Sequence, residues 1–227
     1  MELASSPSAV RVEPETKDLL HGLHLATGGA VALISGRSLH DLDLLFRGAL
    51  PAAGQHGLER RNGRGDVWKL HVPASSMSLA RARIAALASR HRALLVEDKG
   101  LSLALHFRAA PQLEREMHDA MRAIVAELGD GYVMQPGKLV VELRPAGSDK
   151  GEAIAMFMRE PPFRGRVPVF IGDDATDEHG FAMVNAMSGH SLKVGDGPSI
   201  ARWRLPDVRA VERWLTRADD AGARAAL

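Results

Sequence analysis

Short apolar runs alternate with amphipathic stretches along most of the chain. Pro14-Glu15-Thr16 leads into KDLLHGLHLATGG, which predicts a first helix that stops at a glycine pair. AVALISGR, Ala30 to Arg37, is an apolar run ending in a small polar turn, and it fits a strand buried on both faces of a parallel sheet. SLHDLDLLFRG then places Leu39, Leu42, Leu45 and Phe46 on one side of a helix. The buried-strand pattern returns at VPVFIGDD, followed by a helix over TDEHGFAMVNAMSG. HSLKVGDGPS supplies a third strand and PDVRAVERWLTRA a last helix. Helices alternating with buried strands predict a doubly wound α/β sheet.

The middle of the chain follows another rule. LERRNGRGDVWKLHV holds an Asn62-Gly63 turn between two extended pieces, a hairpin signal. A long helix is predicted over SSMSLARARIAALASRH, capped by Ser75 or Ser76. LLVEDKG and LSLALHFR read as paired strands, with Ser102, Ala104 and His106 alternating against Leu101, Leu103, Leu105 and Phe107. PQLEREMHDAMRAIVAELG opens on proline and ends on glycine, as a helix does, and GYVMQPGKLVVELRP makes two more strands around Pro136-Gly137. This section, 55–144, is expected to form an inserted α+β domain, leaving 1–54 and 145–227 as the core. MELASSPSAVRVEPET, ahead of the first helix, reads as the middle of a loop.

Composition narrows the classes. Apolar residues make up 45% and charged residues 25%, ordinary globular values that argue against disorder. A net charge of +1 with scattered cations gives no electrostatic case for nucleic acid or a membrane surface. There is no cysteine, hence no disulfide framework or thiolate metal site, and no apolar run approaches the ~20 residues of a membrane span. A cytoplasmic monomer without nucleic-acid or membrane partners is the expectation.

Ligands of open α/β sheets bind beyond the carboxyl ends of the strands. Ser35-Gly36-Arg37 and Gly172-Asp173-Asp174 fall there, and Lys150 opens a helix in SDKGEAIAMF. A hydroxyl, an ammonium and carboxylates suit a phosphoryl group with a hard cation. Each has a plainer alternative: Ser35-Gly36 as a turn, Asp149 and Glu152 as a capping box around a solvated Lys150, and Thr176 or Asp174 as a helix cap. Capping uses one or two acids, whereas Asp173, Asp174, Asp177 and Glu178 crowd four into six residues, so metal binding is favoured. The cluster lacks the alternation of a calcium-binding EF-hand, and Gly137-Lys138 is followed by leucine, which excludes a P-loop.

S-G-R after one strand, D-K-G before a helix and G-D-D-x-T-D-E after a later strand resemble, in that order, the haloacid-dehalogenase superfamily of phosphatases. QHGLERR, EDKGLSLALHFR, PGKLVVELRP and SDKGEAI narrow the likeness to its bacterial trehalose-6-phosphate phosphatases, over nearly the whole chain. The resemblance implies a Rossmann-like core with a mobile α/β cap, Mg²⁺, and hydrolysis of trehalose 6-phosphate. It implies that Ser35 bonds the phosphoryl group, that Lys150 neutralises its charge, and that Asp173 binds Mg²⁺ with support from Asp174. Asp177 would orient Lys150 or the metal's waters. Glu59, Lys99 and Glu142 match residues that grip sugar hydroxyls, and Arg37, His56, Gly57, Ser102 and Lys138 complete the implied substrate site. His106 is either a further member or a satisfied strand histidine.

The same resemblance implies a first motif, D-x-D-G-T, carrying the nucleophile and the general acid/base, and no D-x-D precedes Ser35. Its strand would lie centrally, between AVALI and VPVFI. Without it, both edges are expected to stand unpaired in the core, at about 1–3 kcal/mol per buried unsatisfied group, against a typical total stability of about 5–15 kcal/mol. The expectation is that translation starts upstream of residue 1, and that residues 1–227 alone are inactive and poorly soluble. The competing readings are a non-catalytic sugar-phosphate sensor and a sister phosphatase or phosphomutase acting on another sugar.

Overall fold

The computed structural model describes residues 10–46 and 50–225. MELASSPSA, and the Arg47-Gly48 expected to close the second helix, lie outside the described residues. The first third of the chain forms α1 (Pro14–Ala26), β1 (Leu33–Ile34), α2 (Leu39–Phe46), β2 (Ala52–Gly54), a 3-10 turn (Gln55–Gly57), β3 (Glu59–Arg61) and β4 (Val67–Lys69). It continues with α3 (Ala74–Ala88), β5 (Leu95–Asp98), β6 (Leu103–His106), α4 (Glu114–Leu128), β7 (Tyr132–Gly137) and β8 (Val140–Pro145). After these come α5 (Lys150–Met158), β9 (Val169–Gly172), α6 (Asp177–Ala186), β10 (His190–Val194), β11 (Trp203–Leu205) and α7 (Val208–Ala225). Two compact units result: Met1–Trp68 with Asp149–Leu227, and Lys69–Ser148. The first boundary falls after Gln55 because Glu59–Arg61 pairs antiparallel with Ala52–Gly54, which ties the hairpin to the core sheet.

The inserted unit is an antiparallel sheet of order β5-β6-β8-β7. Met77, Ile84, Met117 and Met121 of α3 and α4 join Leu103, Leu105, Val141 and Leu143 in one continuous buried cluster. The period-2 alternation read from the sequence puts these leucines and valines on the helix-covered side and Ala104, Glu142 and Gln135 in a cross-strand row on the other. Two details differ from expectation. Helix α3 starts at Ala74 without a side-chain cap, so Ser75 and Ser76 lie inside its first turn. The β7–β8 turn is Lys138-Leu139, with Leu139 at φ 56°, so Pro136 and Gly137 belong to the strand.

The core unit departs further from expectation. Strand β1 runs parallel to β2, and β9, β10 and β11 are mutually parallel, but they form two sheets, β1-β2-β3-β4 and β11-β10-β9. The short β11 had no sequence signal. Among the described residues, β1 and β9 are both outermost strands, and an apolar trough of about 590 Å³ lies against them, lined by Leu23, Ile34, Phe157, Val169, Ile171 and Trp214, among others. Neither strand is buried on both faces: Leu33 and Ile34 are half-buried and Val169 is 47% exposed. A strand paired on one side leaves its other edge open to water, so the free edges here are exposed rather than buried without partners. The core unit's buried apolar residues accordingly fall into small groups, such as Ala53 with Ala153, Phe157 and Phe163. Helix α1 is tied to α7 by Thr16, whose hydroxyl donates to Glu212 at 2.6 Å. Among the described residues no helix is long and apolar enough to cross a membrane.

Candidate active site

Strand β1 delivers Ser35-Gly36-Arg37 to a turn that backbone bonds lace to Gln55-His56. The Ser35 amide donates to the Ala53 carbonyl at 2.9 Å, His56 N–H to the Ser35 carbonyl at 2.9 Å, and Gln55 N–H to the Arg37 carbonyl at 2.7 Å. Ser35 Oγ accepts the Arg37 amide at 3.1 Å. Gln55 (φ 48°), His56 (φ 59°) and Gly57 (φ 102°) are consecutive left-handed residues. For the two that carry a Cβ this costs roughly 1–2 kcal/mol each. Such strain persists only where the surroundings over-determine it. A Cβ on Gly36 would stand 2.6 Å from His56 Nε2, so glycine is what lets the imidazole lie against the turn. The half-buried Ser35–Arg37 turn is therefore paired with a strained, buried one at Gln55–Gly57.

Glu59 holds that pair together. It is 2% exposed, and its Oε1 accepts the Leu39 amide at 2.8 Å, near the start of α2, and the Gln55 side-chain amide at 3.1 Å. The structure thus turns this oxygen, expected on sugar hydroxyls, onto the protein's own donors. Gln55, 2% exposed, was not singled out from sequence, because its role depends on this contact across the fold.

The acidic stretch resolves into separate tasks. Lys150, 7% exposed at the start of α5, donates to Asp177 Oδ1 at 2.6 Å. Asp177 Oδ2 accepts the amides of Asp173 and Asp174 at 2.9 and 2.8 Å. Gly172 permits this approach, since a Cβ there would lie 2.3 Å from Asp177 Cγ. Asp149 does cap α5, accepting from Glu152 N–H at 2.9 Å, but Lys150 is not solvated. Thr176 occupies the cap position of α6 without a side-chain cap bond. Asp174 accepts the Ala175 amide at 2.7 Å and Glu178 the Ile200 amide at 2.9 Å. Asp173 stands exposed at the end of β9. No group of three metal-binding side chains occurs among the described residues. The donors nevertheless suit Mg²⁺, which takes one or two carboxylates and fills its shell with water and phosphate oxygen. Asp173 and Asp174 can supply them, while both Asp177 oxygens are engaged. Helix α5 packs against α6 and against the Gln55–Gly57 turn, which relates the two loop systems within one unit.

The inserted unit carries a second polar group. Glu142, 6% exposed, accepts from Ser102 Oγ at 2.6 Å and Lys99 Nζ at 2.8 Å. His106 Nε2 lies 2.8 Å from Glu97 Oε2. Of the expected substrate residues in this unit, Lys99, Ser102 and Glu142 come together, and His106 joins the neighbouring Glu97. Lys138 stands exposed at the turn, outside these bonds. Glu97 was missed in the sequence; its spacing of two from Lys99, on one strand line, was the available signal.

The hydrogen bond with His106, and to a lesser extent the Lys99 charge, hold the Glu97 carboxyl below the usual carboxylate range, against desolvation and the Glu142 charge. A carboxylate lowered in the fold adds stability that is full above its unfolded value, about 4.3, and is lost as pH falls through the folded value. Acidification below about pH 4 is therefore expected to loosen this cluster. In His106→Ala the Glu97 midpoint, followed by carboxyl NMR, should move up towards an ordinary glutamate; an unmoved midpoint would show that the contact does not act.

The trehalose-phosphatase family model matches residues 1–208. The chain belongs to the trehalose-phosphatase family. It is 43% identical over 205 residues to the trehalose-6-phosphate phosphatase of Escherichia coli K12, covering 87% of this chain and 76% of that protein. The trehalose-phosphatase architecture extends to distant solved structures. The C-terminal domain of Candida albicans trehalose-6-phosphate phosphatase superposes with a TM-score of 0.84 at 18% identity, covering 96% of this chain and 88% of that one. A Bacteroides thetaiotaomicron phosphatase of the haloalkanoate (HAD) enzyme superfamily gives 0.61 at 16% identity, covering 93% and 90%. The fold is thus the α/β fold of that superfamily.

Proposed function

We propose that this trehalose-phosphatase family member hydrolyses trehalose 6-phosphate to trehalose and phosphate with Mg²⁺. The observation that carries the reading is the buried Lys150–Asp177 pair holding the Asp173-Asp174 backbone, on a chain 43% identical to a trehalose-6-phosphate phosphatase. Asp173 and Asp174 would hold the cation, which supplies Lewis-acid polarisation of the phosphoryl oxygens when bound. The Ser35 hydroxyl bonds a phosphoryl oxygen, and the Lys150 ammonium offsets charge developing on the transferred group. Lys99, Ser102 and Glu142 grip sugar hydroxyls, with His56 as a further donor. Glu59 positions the Gln55–Gly57 turn through its Oε1.

The nucleophile in this reading is an aspartate on a strand that fills the trough between β1 and β9. Its carboxylate attacks phosphorus, the P–O bond to the sugar breaks, and a second aspartate protonates the departing oxygen. Water, deprotonated by that same group, then splits the aspartyl-phosphate. The trough supports this reading, since a strand parallel to β1 and β9 would end beside Ser35 and Asp173, at the carboxyl edge where ligands of this architecture bind.

The test is phosphate release from trehalose 6-phosphate with Mg²⁺. The chain carrying an added apolar strand that ends in D-x-D-G-T should turn over, Asp173→Asn in that enzyme should abolish Mg²⁺-dependent release, and residues 1–227 alone should release none. Binding of trehalose 6-phosphate without turnover by the extended chain would instead favour a sugar-phosphate sensor, and release from other sugar phosphates only would favour a sister phosphatase.

A further inference from the structure

We infer that Lys193 is a positioning residue for the cation-binding loop, fixing the peptide between Asp173 and Asp174 from the side opposite Asp177. The inference rests on the reading of Asp173 as a cation ligand. Lys193 lies on β10 in register with Gly172 and is 6% exposed. Its ammonium donates to the Asp173 carbonyl at 2.5 Å, and among the described residues no carboxylate pairs with it. An ammonium has three donors and is costly to desolvate, so one with a single backbone acceptor is not a fold-stabilising ion pair. Its neighbourhood explains the placement. The N–H of the same peptide, that of Asp174, donates to Asp177 Oδ2 at 2.8 Å. The peptide is thus held at its carbonyl by one buried cation and at its amide by a carboxylate that a second buried cation, Lys150, holds in turn. The exposed Asp173 side chain is carried next to a peptide held at both its polar groups. Lys193 also sets a fixed positive charge behind a loop of four acids, which keeps the loop ordered before a cation arrives.

Two effects of the charge oppose one another, and this makes the inference testable. If Lys193 acted only as a charge, removing it would tighten cation binding; if it positions Asp173, removing it weakens binding. In the 227-residue chain, Lys193→Met keeps the apolar stem and removes the donor. Its Mn²⁺ affinity, measured by water-proton relaxation, should fall about 10–100-fold, the usual effect of losing an outer partner of a metal ligand. Hydrogen exchange at the Asp174 amide should accelerate while the β9–β10 ladder amides stay protected, and Lys193→Arg should restore both. Equal or tighter Mn²⁺ binding by Lys193→Met, or an unchanged Asp174 amide, overturns the inference while leaving Asp173 as ligand. Absence of Mn²⁺ binding by the wild-type chain brings down the Asp173 reading and this inference with it. Should Lys193→Met lose ladder protection, Lys193→Arg decides alone: binding within about threefold of wild type with Asp174 protected supports the role, and loss of either overturns it.

Discussion

Joining an apolar strand that ends in an acidic turn to the amino end of the chain is expected to raise its melting temperature by roughly 6–12 °C. The estimate takes each kcal/mol as about 2–4 °C in a protein of this length, and a net gain of about 3 kcal/mol. The gain comes from the trough's walls as much as from the strand. Val169 and Val167 are 47% and 62% exposed and Trp214 is 37% exposed, an apolar surface of the kind that marks an unfilled interaction site. Covering a valine fully is worth about 1.5–3 kcal/mol, and the free edges of β1 and β9 would acquire ladder partners. Val169→Asp separates this from a general effect of lengthening the chain. It should cost little in residues 1–227, where the side chain is half in water, and cancel the gain in the extended protein. Identical melting of the extended and unextended chains would sink the proposal that a strand occupies the trough.

Asp177→Ala should cost about 3–5 kcal/mol, the usual loss on stripping one partner from a buried ion pair. It would leave the Lys150 ammonium without a counter-charge and the amides of Asp173 and Asp174 without an acceptor. At about 2–4 °C per kcal/mol the melting point drops by roughly 6–20 °C. Asp173→Asn, at an exposed carboxylate, should leave melting nearly unchanged while removing Mg²⁺-dependent turnover from the extended enzyme. The pair of variants separates the residue that builds the loop from the residue that uses it. Replacing both partners, Lys150→Met with Asp177→Leu, should recover only the share of stability lost to the unpaired ammonium, and none of the activity, because the amides of Asp173 and Asp174 still lack their acceptor. Asp177→Ala melting within a degree of wild type would mean that the loop is held by other contacts.

The alternation of helices and apolar runs made most elements legible, though not the short β11, because period 2 and period 3.6 are local properties of the chain. It overestimated the burial of β1 and β9, since a sequence pattern records what a strand is suited to pair with, and among the described residues each pairs on one side only. The division of labour among the acids was not legible. Asp173 and Asp177 are chemically identical in the sequence, and only the approach of Gly172 to Asp177, and the Lys150 ammonium from another helix, assign one to structure and leave the other exposed. Glu59 was legible only in part: its motif singled it out, but the donors on its Oε1 come from Leu39 and Gln55 across a turn. Lys193 left no local signal, because a lysine in an apolar strand is indistinguishable from a snorkelling surface residue until the neighbouring strand is placed.

The continuous cluster of the inserted unit and the divided clusters of the core imply different timing during synthesis. Residues 69–148 form an uninterrupted stretch whose sheet pairs β5, β6, β8 and β7 locally, so this unit can fold as soon as it leaves the ribosome. The two walls of the trough flank that stretch, and α1 waits for α7 before Thr16 meets Glu212. The core is therefore completed late, by contacts between distant parts of the chain.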